Sequence, residues 1–376
     1  MKSLLLIPSV VKTEIEDKVM ADKHPEMDYH ALASALRAAG SGSADIIDYK
    51  AVENHSSAVV RLVHKLAGLD AGLALAGFLQ RKRYDCIFTN GENVGIPLAL
   101  LFKLSLRRPG HVTIGHRLST GKKRLFFRTL RVHRQMDTIF VYATTQHQFG
   151  IESLQIPAKK LALIPFHADS HFYRPLPEVR VDDNQICSAG LEWRDYPTLI
   201  DAVAQMPDLT VKLAASSPWS KHNNETENRT LPANVDARRY EYCDLRDLYA
   251  GSSFVVVPLY ENDFQAGVTT LLEGMAMGKA VIVTQTTGQT DVVENGVNGL
   301  IVIPGDISGL RAAIEKLRAD HELRDRLSKN GRLWLEKHAT LRRWVASVAG
   351  ALEASAPGYS GTNSFAVSEQ SSDLKA

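Results

Sequence analysis

Two kinds of apolar stretch alternate along this chain. Short unbroken runs, such as Ser3–Pro8 and Ala280–Val283, have the continuous apolar character of strands buried on both faces of a parallel sheet. Between them, apolar residues recur at helical spacing. In the first half this pattern predicts strands at Ser3–Pro8, Ala44–Tyr49, Tyr84–Thr89, His111–Gly115, Met136–Tyr142 and Lys160–Ile164. The helices expected there are Tyr29–Ala39, one long helix Ser57–Arg81, Gly95–Leu106 and a basic helix Lys123–Arg134. A second series has strands near Ile186–Ser188, Thr210–Ala215, Asp236–Tyr240, Phe254–Pro258, Ala280–Val283 and Leu300–Val302. Its helices are Tyr196–Ala204, Leu245–Gly251, Val268–Met277, Ile307–Ala319, Glu322–Leu335 and Leu341–Ala354. Strands alternating with helices imply a doubly wound α/β fold.

The turn-rich stretch Pro165–Pro177 reads as a linker between the two series. The expected organisation is an N-terminal Rossmann-like domain over 1–170 and a second over 171–340. A C-terminal helix over 341–355 is expected to cross back to the first domain, followed by a disordered tail over 356–376. Lys221–Leu231 is expected to be a loose surface loop. Two such units joined by a linker are expected to face a central cleft, where ligands bind beyond the carboxyl ends of the strands.

Composition narrows the function classes. A chain of 376 residues with 44% hydrophobic and 23% charged residues fits a soluble two-domain enzyme. Cys86, Cys187 and Cys243 are far apart and form no CxxC, which argues against structural disulfides or a zinc site and fits a reducing cytoplasm. The opening MKSLLLIPSV is too short an apolar run for a signal peptide, and no stretch has the length of a spanning helix. Net charge is +2, but residues 1–170 hold 23 Lys and Arg against 15 Asp and Glu, while the remainder is net acidic. That asymmetry hints at an anionic partner for the first half. The mixture of cations with Leu125, Phe126, Phe127 and Leu130 makes the basic helix a candidate face for an anionic membrane surface. No nucleic-acid-binding motif is present.

Candidate chemistry concentrates in Tyr260–Thr284. Gly267 allows close approach of the backbone to a ligand, and the N–H groups of Val268 and Thr269 open a helix, a ready phosphate site. Glu273 lies one turn on, opposite a core stripe of Val268, Leu271, Leu272 and Met275, so it is expected to face outward. No GxGxxG follows the first strand, so the dinucleotide fingerprint is missing there.

Three segments together resemble the retaining GT-B glycosyltransferases of family 4, the glycosyl transferases group 1. They are GLEWRDYPTLIDAV (Gly190–Val203), FQAGVTTLLEGMAMGKAVIVT (Phe264–Thr284) and TTGQTDVVENGVNGLIVIPGD (Thr286–Asp306). The resemblance implies a GT-B fold and transfer of a sugar, with retention and no required metal or cofactor, from a nucleotide-diphosphate sugar. A UDP- or GDP-sugar is the expected donor, and the acceptor a glycan, a lipid-linked glycan or a small molecule. It implies a cytoplasmic place, with the inner membrane face as a further option. By position in the motifs, Glu273 would contact the ribose, Gly267, Val268 and Thr269 the diphosphate, and Gly288 and Asp291 the donor loop. A turn capped by Asp291 at a helix start is the alternative reading of that last pair. Arg194, Gln265 and His116 would take the catalytic contacts. Two positions depart from the pattern: Gln265 stands where the family has a glutamate, and Leu191 where it has an arginine. An amide keeps hydrogen-bonding reach but carries no charge. These departures keep two rivals open, a non-catalytic nucleotide-sugar or glycan-binding protein and a nucleotide-sugar epimerase. Gly91, Glu92 and Asn93 are further candidates for acceptor contact, and His167 and Asp169 for the cleft floor.

Overall fold

A computed structural model describes residues 1–12, 14–38, 42–215 and 230–358. Most of the loop expected at Lys221–Leu231 and of the tail expected from 356 lies outside the described residues. The chain divides into two compact units. Unit 1 comprises Met1–Ile15, Glu26–Pro165 and the chain from Arg342 on; unit 2 comprises Glu16–Pro25 and Phe166–Leu341.

Unit 1 is built on strands β1 (Lys2–Leu6), β2 (Ser43–Ile47), β3 (Cys86–Thr89), β4 (Gly110–Gly115), β5 (Thr138–Val141) and β6 (Leu161–Leu163). All pair in parallel, in the order β2-β1-β3-β4-β5-β6. Leu4, Leu5, Ile87, Phe88, Val112 and Ile114 are fully buried, because helices cover both faces of the sheet. Trp344 on the helix Leu341–Ser355 donates to the Tyr142 hydroxyl, and the Cys86 thiol donates to the Leu352 carbonyl, so this last helix is fastened to unit 1.

Three local expectations for unit 1 differ from the structure. Ser57–Arg81 is two helices, Ala58–Ala67 and Leu69–Gln80, broken at Gly68, whose φ of 89° no right-handed helix accommodates. The basic stretch Lys123–Arg134 is not a continuous α-helix. Leu125–Thr129 is a π-helical turn, Arg131 takes a left-handed φ of 49°, and Val132–Gln135 is a 3-10 turn. This irregular path buries both Phe127 and Val132. A helix Thr144–Glu152, which the hydrophobic pattern did not anticipate, is polar in sequence and packs through Gln146 and Gly150.

Unit 2 carries β7 (Asp182–Ala189), β8 (Thr210–Ala214), β9 (Val235–Arg238), β10 (Ser252–Val257), β11 (Ala280–Thr284) and β12 (Leu300–Val302). These strands are also all parallel, ordered β12-β11-β10-β7-β8-β9. Strand order reverses between β7 and β10, so the loops leaving those two strands flank the topological switch point. The early segment Glu16–Pro25 is tied into this unit by Asp22. Its carboxylate accepts from Arg174 at 2.8 Å and pairs with Arg246 at 2.9 Å. The His24 ring lies 4.2 Å from that of Tyr242, between centroids.

Candidate active site

The loop after β7 makes a sharp detour before the helix Tyr196–Val203. Gly190 and Trp193 both have left-handed backbone, with φ of 90° and 58°. For a tryptophan that conformation is strained, so surrounding contacts must hold it. They come from the loop after β10: the Tyr260 amide donates to the Trp193 carbonyl at 3.1 Å, and the Phe264 ring meets the indole edge-on.

Arg194 fastens the two loops from below. Its Nε donates to the Ala189 carbonyl at 2.8 Å, Nη1 to the Glu192 carbonyl at 2.9 Å, and Nη2 to the Thr270 hydroxyl at 2.9 Å. A Cβ on Gly190 would stand 2.4 Å from Nη2, and one on Gly267 would stand 3.2 Å from Nη1. The guanidinium thus crowds Gly190 directly, whereas at Gly267 a Cβ would meet Val257 Cγ1 first, at 2.8 Å. The group is buried, and that burial pulls its pKa below the usual arginine value. Each of its three nitrogens donates one bond within the protein, so Arg194 braces the two loops, while Nη1 and Nη2 each carry a second N–H.

Gly267 takes φ 78° at the start of the helix Val268–Ala276, and no side chain caps that start. The first-turn amides of such a helix have no intrahelical acceptor. Val268 is buried and Thr269 is exposed. Just before it, Gln265 has a buried side-chain oxygen with no hydrogen-bond partner, as does the Thr286 hydroxyl on the loop after β11. The two loops are laced together. Gly288 donates its amide to the Asn262 carbonyl at 2.9 Å, Thr287 its amide to Glu261, and Gln289 its side-chain amide to the Ala266 carbonyl. A Cβ on Gly288 would lie 2.0 Å from the Phe264 carbonyl oxygen, so this approach needs glycine. Asp291 sits half-buried three residues on, in irregular chain; the helix start it was expected to cap does not exist.

Glu273 is placed differently from the helical-wheel expectation. It is buried, not outward-facing, because residues Thr270 to Ala276 are covered on all sides. Its Oε2 accepts from the Tyr249 hydroxyl at 2.8 Å. Burial pushes the carboxyl up to about 7, against the opposing pull of Tyr249, Tyr173 and the Arg194 charge. Tyr249 and Tyr173 were missed by sequence reasoning. Tyr173 follows Phe172 in the turn-rich linker and Tyr249 lies in the last turn of a mixed polar and apolar helix, and nothing in either local pattern marks a carboxylate partner.

Of the nine residues given a catalytic or donor-site role, His116 belongs to unit 1 and the other eight to unit 2; the further candidates Gly91, Glu92 and Asn93 also lie in unit 1. His116 is exposed, and its loop is held by two buried side chains. Glu92 accepts the amides of His116 at 2.8 Å and Arg117 at 3.3 Å and also binds the Lys123 ammonium. Gln146 accepts the amides of Leu118 and Ser119. Burial pushes the Glu92 carboxyl up, but the charges of His116 and Lys123 outweigh it and hold the group below the ordinary range. Asn93, the second residue of the helix Glu92–Phe102, donates to Asp70. Asp169 is a turn former, accepting the amides of His171 and Phe172.

Residues 186–334 match the family described as glycosyl transferases group 1. The chain is 30% identical over 149 residues to the lipopolysaccharide core biosynthesis glycosyltransferase LpsE of Rhizobium meliloti, a stretch covering 38% of this chain and 41% of that one. It is 35% identical over 88 residues to the capsular polysaccharide biosynthesis glycosyltransferase CapM of Staphylococcus aureus, covering 23% and 22%. The matches thus span less than half the length of these curated relatives. In three dimensions the chain resembles the Anabaena protein HepE, solved in complex with UDP-glucose, with a TM-score of 0.68 at 16% identity over 94% of this chain and 100% of that one. Sucrose-phosphate synthase from Thermosynechococcus elongatus gives 0.68 at 18% identity, over 92% and 96%. The chain therefore carries a glycosyl transferases group 1 domain at residues 186–334, within a GT-B fold of two parallel-sheet, Rossmann-like units.

Proposed function

We propose that this protein is a glycosyltransferase that takes a sugar from a nucleotide-diphosphate donor held by unit 2 and passes it to a glycan acceptor. The observation that carries this reading is the uncapped start of the helix Val268–Ala276, at the switch point of the unit 2 sheet and braced by Arg194. First-turn amides such as that of Thr269, which have no intrahelical acceptor, and the positive end of the helix dipole favour a diphosphate there, by roughly 0.3–2 kcal/mol before hydrogen bonds are counted. The Val268 amide, which donates to the Gln265 carbonyl at 3.4 Å, would exchange that bond for one to the ligand. The buried positive charge of Arg194 adds to the field without direct contact. Charge builds on the departing nucleoside diphosphate, so these groups stabilise the leaving group. Gln265 and Thr286 offer oxygens that a sugar hydroxyl can satisfy. Glu273, carried by the same helix, takes the ribose contact if it exchanges its bond with Tyr249 for one to the ligand. Gly288 and Asp291 shape the donor loop. The reaction is expected to proceed with retention and without a required metal.

A UDP-sugar is the first donor to test, since HepE binds UDP-glucose; a GDP-sugar is the second. The names of LpsE and CapM favour a polysaccharide or lipid-linked acceptor. The test is a thermal-shift screen against UDP, GDP, ADP and dTDP, followed by donor hydrolysis, which needs no acceptor. A ligand at 100 times its Kd stabilises by about 2.7 kcal/mol. One nucleoside diphosphate is expected to raise the melting temperature and its sugar conjugate to be slowly cleaved; no shift with any of the four would overturn the reading. The engaged Arg194 and the neutral Gln265 favour a second reading, a non-catalytic nucleotide-sugar-binding protein, marked by binding without cleavage or transfer.

A further inference from the structure

The helix Ala58–Ala67 of unit 1 is amphipathic in the wrong sense for an ordinary surface helix. It rests on the unit through Val60, which is fully buried, with Val63 and His64 half-buried. On another face Val59, Leu62 and Leu66, spaced to form one stripe, are 59%, 56% and 78% exposed. Large aliphatic side chains normally face the core in such a helix, and a contiguous exposed apolar stripe marks a contact surface. Arg61 and Lys65 stand beside the stripe, both exposed, with Arg61 Nη1 also donating to the His55 and Ser56 carbonyls, and the helix carries no acidic residue. The next acid along the chain, Asp70, is occupied by the Tyr49 hydroxyl and the Asn93 amide.

We propose that the face Val59–Leu62–Leu66, with Arg61 and Lys65, docks unit 1 onto an anionic lipid bilayer. Apolar side chains that insert and flanking cations that meet lipid phosphate are the two components of an interfacial helix, and long basic side chains reach the headgroup level from a shallowly buried helix. The excess of 23 cationic over 15 acidic residues in 1–170 acts in the same direction at longer range. A second copy of the chain is the poorer occupant. A ten-residue helix is about 15 Å long, and three aliphatic side chains fall well short of the ~800 Å² per partner that a stable interface needs. The basic stretch 123–134 is a weaker lipid face than its sequence promised, because Phe127 and Val132 turn inward, leaving Leu125 exposed. No helix among the described residues is long and apolar enough to cross a membrane, so a bound chain would lie on the surface through this helix.

The proposal does not depend on the donor, and its test uses no nucleotide. Purified full-length protein is floated with vesicles of phosphatidylcholine and phosphatidylglycerol at about three to one, and with phosphatidylcholine alone. The wild type is expected to float with the anionic vesicles and not with the neutral ones. Leu62→Glu combined with Leu66→Glu should lower the floated fraction at least tenfold, with circular dichroism and melting temperature unchanged; Leu66→Ser replaces the pair if it fails to fold. Wild type that stays in the soluble fraction, or variants that float as it does, would overturn the proposal. So would light scattering that finds a dimer which these substitutions dissociate.

Discussion

Tyr249 hands its hydroxyl hydrogen to Glu273 across 2.8 Å, inside a part of unit 2 where both residues are buried. The Glu273 carboxyl, raised to about 7 by that burial, is favoured in its protonated form by the folded state. Its contribution to stability is therefore full below the unfolded value near 4.5 and is lost as pH rises through about 7. Glu273→Gln should flatten the stability profile across that window and gain on the wild type above it, by on the order of 2–3 kcal/mol. Urea melts between pH 4.5 and 8 measure this, and parallel profiles for the two proteins would refute it.

Removing Arg194 deprives Ala189, Glu192 and Thr270 of one donor each. Arg194→Ala should cost about 2–4 kcal/mol and weaken nucleotide binding as the two loops separate. Arg194→Lys restores the charge but not the three-way fork, so it should recover less than half of the loss. A lysine variant as stable as the wild type would leave charge, not bracing, as the function of this residue.

Much of this architecture is legible in the sequence. Runs such as Phe254–Val257 and Ala280–Val283 are apolar without alternation because helices cover both faces of the sheet, and that signal is local. Gly267 and Gly288 could be singled out because close backbone approach leaves a glycine in the chain. What stayed hidden depends on partners distant in sequence. The wheel turned Glu273 outward since it credits a helix with one apolar side, whereas this helix is enclosed, and Tyr249 arrives from a separate helix. Asp22 could not be assigned to unit 2 without seeing Arg174, 152 residues away. The single turns at Gly68 and Arg131 escaped because hydrophobic periodicity runs through them almost unchanged.

Gly267→Ala tests close approach at the helix start. A Cβ there would lie 2.8 Å from Val257 Cγ1 and 3.0 Å from Leu259 Cδ2, on a backbone at φ 78°. Gly296 has nearly the same φ, 77°, but open space around it. Gly296→Ala should cost about 1 kcal/mol from the backbone alone, and Gly267→Ala at least about 2. Equal losses in denaturant melts would mean that packing around Gly267 yields without strain.

In unit 1 the expected pH signature is reversed. Glu92 is held below the ordinary carboxylate range, so its contribution is present above about 4.5 and lost as pH falls through its folded value. Glu92→Gln leaves the Lys123 ammonium without its counter-charge in a largely buried place and should cost about 3 kcal/mol at neutral pH. The deficit should shrink in acid. Amide hydrogen exchange at His116 and Arg117 reports it locally, and unchanged protection there would contradict the assignment of Glu92 as the anchor of that loop.

The most direct measurement is UDP binding by calorimetry to the wild type and to Thr269→Asp. Thr269 is exposed in the first turn of the helix Val268–Ala276, where a carboxylate complements the helix dipole by about 0.3–1 kcal/mol and repels a diphosphate. The variant is expected to melt at or above the wild-type temperature without ligand, yet to bind UDP at least tenfold more weakly. If UDP binds the variant as tightly as it binds the wild type, the nucleotide does not sit at this helix start and the account fails.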